Sequence, residues 1–147
     1  MLYMQKTGCL MRAGSKDTVG QGDSHISVNG IVMGHAYGVL NVIEADGNRL
    51  VKLRNPHGGS GAEWNGDWSD NSEKWTTRMK NKVGFTEEAD GTFWMDIINF
   101  VSNYSFLYAC RILDPSVWKA LKMDDHEWIG GSSAGLPNPR KGNPAPR

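Results

Sequence analysis

Cysteine is scarce. Cys9 and Cys110 are the only two in 147 residues, too few for a disulfide framework, and they imply a reducing, cytoplasmic setting. An excess of charge of one sign is also lacking. Sixteen Lys and Arg are matched by 16 Asp and Glu, which removes any general electrostatic case for nucleic acid or an acidic membrane surface as partner. No apolar run approaches the roughly 20 residues of a membrane span. Met1 to Arg12 shows no basic-then-apolar leader pattern. What is left, at 39% hydrophobic and 22% charged residues, is the composition of a packed domain. Glycine is the one excess: 18 copies, about 12% against a usual share of about 7%, imply many turns and short strands.

The first thirty residues are short apolar pieces broken by Gly14, Ser15, Gly20, Gly22 and Asp23. They read as a strand near Cys9 to Arg12 followed by a surface loop. Ile31 to Glu44 is rich in Val, Ile, Leu and Tyr. Asp46-Gly47-Asn48 is a turn signature, and Arg49 to Arg54 alternates Leu and Val with basic residues. Together these predict a β-hairpin with one buried face. Trp64 and Trp68 among the glycines of residues 57–71 suggest an ordered loop pinned by aromatics. Ser72, followed by Glu73, Trp75 and Met79, predicts a capped helix running to about Lys82. A short strand at Phe93 to Met95 follows the Asp90-Gly91 turn. Asp96 then caps a helix carrying Ile97, Ile98, Phe100 and Val101, and Phe106 to Ile112 is a final strand. From Asp114-Pro115 the character changes. The end is rich in Pro, Gly and basic residues and cannot bury a core by itself.

One pair of polar residues carries chemistry. The midpoint between His35 and Asn55 abuts the Asp46-Gly47 turn, so a hairpin can present both side chains on one face, provided a bulge or wider turn adjusts the register. A carboxamide oxygen beside an imidazole can accept a hydrogen bond from one ring nitrogen, fix the tautomer, and aim the other nitrogen at a nucleophile. That nucleophile is typically a cysteine thiolate paired with the imidazolium.

These residues lie in segments that resemble the calpain family of cysteine proteases. Gly34-His35-Ala36-Tyr37 is similar to its GHAY motif, and Arg54-Asn55-Pro56 followed by Gly58 to its RNPWG motif. Glu63-Trp64-Asn65-Gly66-Asp67-Trp68-Ser69-Asp70 resembles EWTGxWxD, and Asp90-Gly91-Thr92-Phe93-Trp94-Met95 resembles DGEFWM. Asn103-Tyr104-Ser105 stands where a calpain has HYS. Five motifs in the family's order and spacing cover residues 31 to 112. The segment Glu127 to Gly135 resembles the opening of the β-sandwich domain that follows many calpain cores.

The resemblance implies an α+β fold: a strand-rich, papain-like protease subdomain of short antiparallel sheets and a few helices. It implies a subdomain over 1–115, and over 116–147 a linker with the truncated start of a β-sandwich. His35 is implied as general base and acid, and Asn55 as the residue that orients it. The nucleophilic Cys and the oxyanion-hole Gln belong to a preceding subdomain with a QGxxGDCW-like motif. Nothing here matches that motif, and Cys9 and Cys110 read as buried small hydrophobes. The expectation is therefore half of an intracellular cysteine endopeptidase. Alone it is inactive, and its partners are the Cys-bearing subdomain of the same parent chain and protein substrates. The alternative is a calpain-like regulatory or interaction protein without proteolysis.

Two departures from the pattern bear on this. His57 stands where the family has a Trp that shields the His–Asn hydrogen bond, and it reads as a partly exposed loop histidine. The family's calcium site in this subdomain maps onto Glu63, Asp70, the carbonyl of Glu88, and Asp90, but its last carboxylate is Thr92 here. Affinity for Ca²⁺ follows carboxylate count, so the implied site is weakened.

Overall fold

The computed structural model describes residues 1–17, 20, 25–58, 63–87 and 90–119. Two compact units divide the chain, Met1–Ile112 and Leu113–Arg147. In the second, a turn begins at Asp114, whose carbonyl accepts the N–H groups of Val117 and Trp118. The segment read as the start of a β-sandwich lies outside the described residues.

The first unit is α+β, as expected. Its elements in order are α1 (Leu2–Lys6), β1 (Cys9–Ser15), β2 (Ala36–Ala45), β3 (Asn48–Arg54), α2 (Thr77–Val83), β4 (Thr92–Asp96), α3 (Ile97–Asn103) and β5 (Tyr104–Arg111). The five strands form one antiparallel sheet in the order β4-β3-β2-β1-β5. The hairpin forms where the alternation placed it. Asp46 and Gly47 both hold positive φ, 49° and 77°, which gives the turn the twist that matches its strands. Ile31 to His35 is not part of β2; an isolated bridge joins Val32 to Ile26.

At β3 and β4 the sheet is covered on both faces, which is why so many of their residues are apolar. Val51, Leu53, Phe93 and Met95 point to one core with Met11, Ala13, Tyr37, Val39 and, from α3, Phe100. Leu50 and Trp94 point to the other, against Trp68 and, from α2, Met79. Each fully buried side chain of this size contributes about 1.5–3 kcal/mol. The helix α3 starts as expected, with the Asp96 carboxylate accepting the N–H groups of Ile98 and Asn99, both at 2.9 Å.

The helix expected from Ser72 begins later. Thr76 is its cap, accepting the Met79 N–H at 3.2 Å, and Gly84 closes it in a left-handed conformation. The Ser72 hydroxyl instead accepts the N–H groups of Trp68 and Lys74. It thereby stabilises a turn that lets Trp75 pack edge-on against Trp68, with ring centroids 4.8 Å apart. The short helix α1 has no side-chain cap and so left no signature in the sequence.

The cysteines also differ from expectation. Cys9 is half-buried and Cys110 exposed, and both are free thiols. Cys110 pairs with Leu10 across β5 and β1. That places it on the exposed sheet face with Leu10, which is itself 64% exposed.

Candidate active site

His35 and Asn55 meet. The hairpin ladder runs through Gly38↔Arg54 after a bulge between Val39 and Asn41. Just beyond the last rung, His35 Nε2 lies 3.1 Å from Asn55 Oδ1. The carboxamide oxygen can only accept, so Nε2 carries the proton. The orientation of the amide is fixed independently, because the same Oδ1 accepts the backbone N–H of His57 at 3.0 Å. With Nε2 engaged, Nδ1 is the nitrogen able to exchange a proton with a nucleophile.

Both residues are held by their surroundings. Asn55 is fully buried, its N–H donates to the Gly91 carbonyl at 2.8 Å, and its carbonyl accepts from Gly58 at 3.0 Å. Gly91 has a φ of 84°, and a Cβ there would stand 2.9 Å from the Asn55 carbonyl oxygen. The strand start thus needs a glycine beside the site. His35 is pinned through its backbone by Ser15 at the end of β1. The Ser15 hydroxyl accepts the His35 N–H at 2.9 Å and donates to the carbonyl of Val32 at 2.7 Å, while the Ser15 N–H donates to the His35 carbonyl at 2.9 Å. The Tyr37 ring meets the imidazole edge-on, with centroids 5.2 Å apart. Burial pushes the Tyr37 phenol up to about 12, so it stays neutral beside His35. One side of the imidazole opens on a groove of about 510 Å³ lined also by Arg12, Gly14, Asp17, Phe106 and Tyr108.

Two parts of this arrangement escaped the sequence reading. The Ser15 staple depends on a tertiary contact that no local pattern announces. His57 stacks on His35, ring centroids 4.2 Å apart and tilted by 36°. Continuing the register of Gly38↔Arg54 outward by three residues on each strand pairs positions 35 and 57, so that contact was available to a reader who knew where the bulge fell.

Of the expected metal ligands, Glu63 and Asp70 line a different hollow, of about 720 Å³, beside Asp67, Glu73 and Glu87. The loop is pinned by Trp68, which holds a φ of 65°, uncommon for a bulky residue. Burial, and then the charges of Glu63, Glu87 and Asp90, push the Asp70 carboxyl up to about 6. Glu63 Oε1 accepts the Gly91 N–H at 2.7 Å, and Asp90 Oδ1 accepts the Thr92 N–H at 2.8 Å. Hydrogen bonding from Thr92, side chain first, lowers the Asp90 carboxyl. Glu88 lies outside the described residues. Among the described residues no three His, Cys, Asp or Glu gather closely enough to hold a metal ion. The carboxylates share a negative field without forming a cage.

Residues 1–111 match the family model described as calpain family cysteine protease. The chain is 40% identical over 137 residues to the calpain-type cysteine protease ADL1 of Oryza sativa subsp. japonica, covering 92% of this chain and 6% of that protein. It is 40% identical over 136 residues to the calpain-type cysteine protease DEK1 of Arabidopsis thaliana, again 92% of this chain and 6% of the relative. Against the calpain-2 catalytic subunit of Homo sapiens it is 35% identical over 136 residues, 82% of this chain and 19% of that subunit. The chain therefore spans a small part of the relatives it matches. It belongs to the calpain family of cysteine proteases.

Proposed function

We propose that this chain supplies the His–Asn half of a calpain-type cysteine endopeptidase. In that reading a Cys-bearing subdomain of the same parent chain brings the nucleophile to the groove beside His35. The observation that carries it is the hydrogen bond between His35 Nε2 and the buried Asn55 Oδ1. His35 Nδ1 takes the thiol proton, the thiolate attacks the scissile carbonyl, and the resulting imidazolium gives its proton to the leaving amine. The acyl-enzyme is then released by water, with His35 again as base. Asn55 does not exchange protons; it keeps the ring in the productive tautomer through both steps. Alone, without a nucleophile at the groove, the chain hydrolyses nothing. Free thiols at Cys9 and Cys110 accord with a reducing, cytoplasmic setting. Among the described residues no helix is long and apolar enough to cross a membrane.

The described carboxylates do not fit a cage as they stand. The Gly91 N–H already takes one oxygen of Glu63 and the Thr92 N–H one oxygen of Asp90, which leaves each carboxylate fewer acceptor positions for a cation. The residue at 92 adds a hydroxyl where the family pattern has a carboxylate. What favours cation binding is the raised Asp70 carboxyl, since a bound cation would relieve its repulsion by Glu63, Glu87 and Asp90. The non-proteolytic alternative draws on the same two departures, His57 and Thr92.

Casein hydrolysis by the full-length parent tests the proposal. His35→Ala should reduce kcat by at least about 10³-fold, and Asn55→Ala by a smaller factor of about 10–10². A parent that hydrolyses casein equally well with His35→Ala overturns the assignment, and a parent inert with both residues intact favours the regulatory reading.

A further inference from the structure

Gln5 lies on the short helix α1, thirty residues before His35, and its carboxamide is engaged with β2. Oε1 accepts the Val42 N–H at 2.6 Å, while Nε2 donates to the Val42 carbonyl at 3.1 Å and to Asn41 Oδ1 at 3.0 Å. One side chain thus exchanges both bonds with Val42, as a residue on a neighbouring antiparallel strand would. Among the described residues no strand does so there, because β1 pairs with β2 only over Ala36 to Val39. Met1 and Leu2, packed against the first core, bring α1 to this stretch.

The stretch that Gln5 grips adjoins the β2 bulge. On the turn side the rungs are Val42↔Val51 and Asn41↔Lys52; past Leu40 they become Val39↔Leu53 and Gly38↔Arg54. Opposed residues share a face, and faces alternate along each strand. Carried one rung outward, the bulged register sets Asn55 opposite Tyr37, on the same face as His35. Without the extra residue Asn55 would fall opposite Gly38, and His35 would stand on the other face. Packing calls for the bulge, since Val39 and Val42 both belong to the first core. It also leaves the N–H and carbonyl of the buried Val42 with no strand on that side, and such groups left unpaired would weaken the bulged arrangement. We propose that Gln5 is a positioning residue for the His35–Asn55 pair: its carboxamide holds the bulge that puts both side chains on one face. Any effect on peptide hydrolysis rests on the protease reading; the effect on the pair does not.

The test compares NMR spectra of the 147-residue chain with those of Gln5→Ala, Gln5→Glu and Met79→Ala, each well below its melting temperature. Gln5→Ala removes all three bonds, and Gln5→Glu removes the two that Nε2 donates. Met79→Ala opens a cavity in the second core, away from the bulge, and lowers stability alone. In Gln5→Ala the cross-strand contact at Gly38↔Arg54 should weaken, and the His35 ring should become a mixture of tautomers. Gln5→Glu should fall between that variant and wild type. Met79→Ala should keep the wild-type contact and the Nε2–H ring. A Gln5→Ala chain with wild-type contact and tautomer overturns the proposal. So does a Met79→Ala chain disturbed to the same degree, because the loss would then follow stability. If Gln5→Ala does not fold, Gln5→Glu decides by the same comparison. In the full-length parent, Gln5→Ala should lower kcat on casein by about 10-fold or more with KM nearly unchanged. A parent inert with Gln5 intact, while the spectra change as expected, removes the protease reading and leaves the positioning role.

Discussion

Asp70→Asn should stabilise the domain at neutral pH and do little in acid. The Asp70 carboxyl sits at about 6 in the folded chain against an ordinary value of 3.8, raised first by burial and then by Glu63, Glu87 and Asp90. A carboxyl raised on folding binds its proton more tightly in the native state. Its contribution is fully favourable below the unfolded value and is lost as pH climbs through the folded value. The window is therefore pH 4 to 6, with a flat penalty above it. Taken at face value the rise corresponds to about 3 kcal/mol. Asp70 keeps partial contact with solvent, and screening there brings the figure to roughly 1 kcal/mol. Asparagine keeps the shape without the charge. Chemical denaturation at pH about 7.5 should thus show the variant more stable by about 1 kcal/mol, and the difference should vanish near pH 4. A variant less stable than wild type at pH 7.5 without divalent ions would refute the reasoning, because Asp70 would then be gaining more from its neighbours than it loses.

Other outcomes follow from the same structure. Calorimetric titration with Ca²⁺ should give a dissociation constant no tighter than about 10⁻⁴ M, since Thr92 offers a hydroxyl where the family pattern has a carboxylate and one oxygen each of Glu63 and Asp90 already holds a backbone N–H. Asn55→Ala removes an acceptor from two donors and should lower stability by about 2 kcal/mol, read as a fall in melting temperature of roughly 10 °C. Gly91→Ala forces a Cβ against the Asn55 carbonyl at positive φ. It should cost at least about 2 kcal/mol in denaturant melts, with disturbed His35 signals in the same sample. Leu53→Ala, at a fully buried site on β3, should cost about 3 kcal/mol while the His35–Asn55 contact persists.

The hairpin was legible because two local signals agree: Asp46-Gly47 adopts the turn that joins twisted strands, and the residues after it alternate. From the hairpin alone, His35 and Asn55 could be brought to one neighbourhood. The location of the bulge between Val39 and Asn41 was not legible, since one extra residue is set by packing across the sheet. That single uncertainty also hid the stacking of His57 on His35. The start of α2 differs because Ser72 is the better cap in isolation, whereas the choice of Thr76 accompanies Trp75 packing on Trp68. Cys110 was misread for a related reason. An apolar strand is identified by its own residues, but which of its faces is covered depends on the rest of the sheet, and β5 lies at its edge. The family motifs named Glu63, Asp70 and Asp90 as candidate carboxylates by position alone. They could not tell that the Gly91 and Thr92 N–H groups each engage one oxygen of Glu63 and Asp90.

The most direct test of how Asn55 prepares His35 is the tautomer of the ring. A long-range proton–nitrogen correlation spectrum of the chain in mildly alkaline solution reads which nitrogen carries the proton. The expected result is the Nε2–H form in wild type, giving way to a mixture in Asn55→Ala. A wild-type ring protonated at Nδ1, or one unchanged by loss of the Asn55 side chain, would contradict the role assigned to this pair.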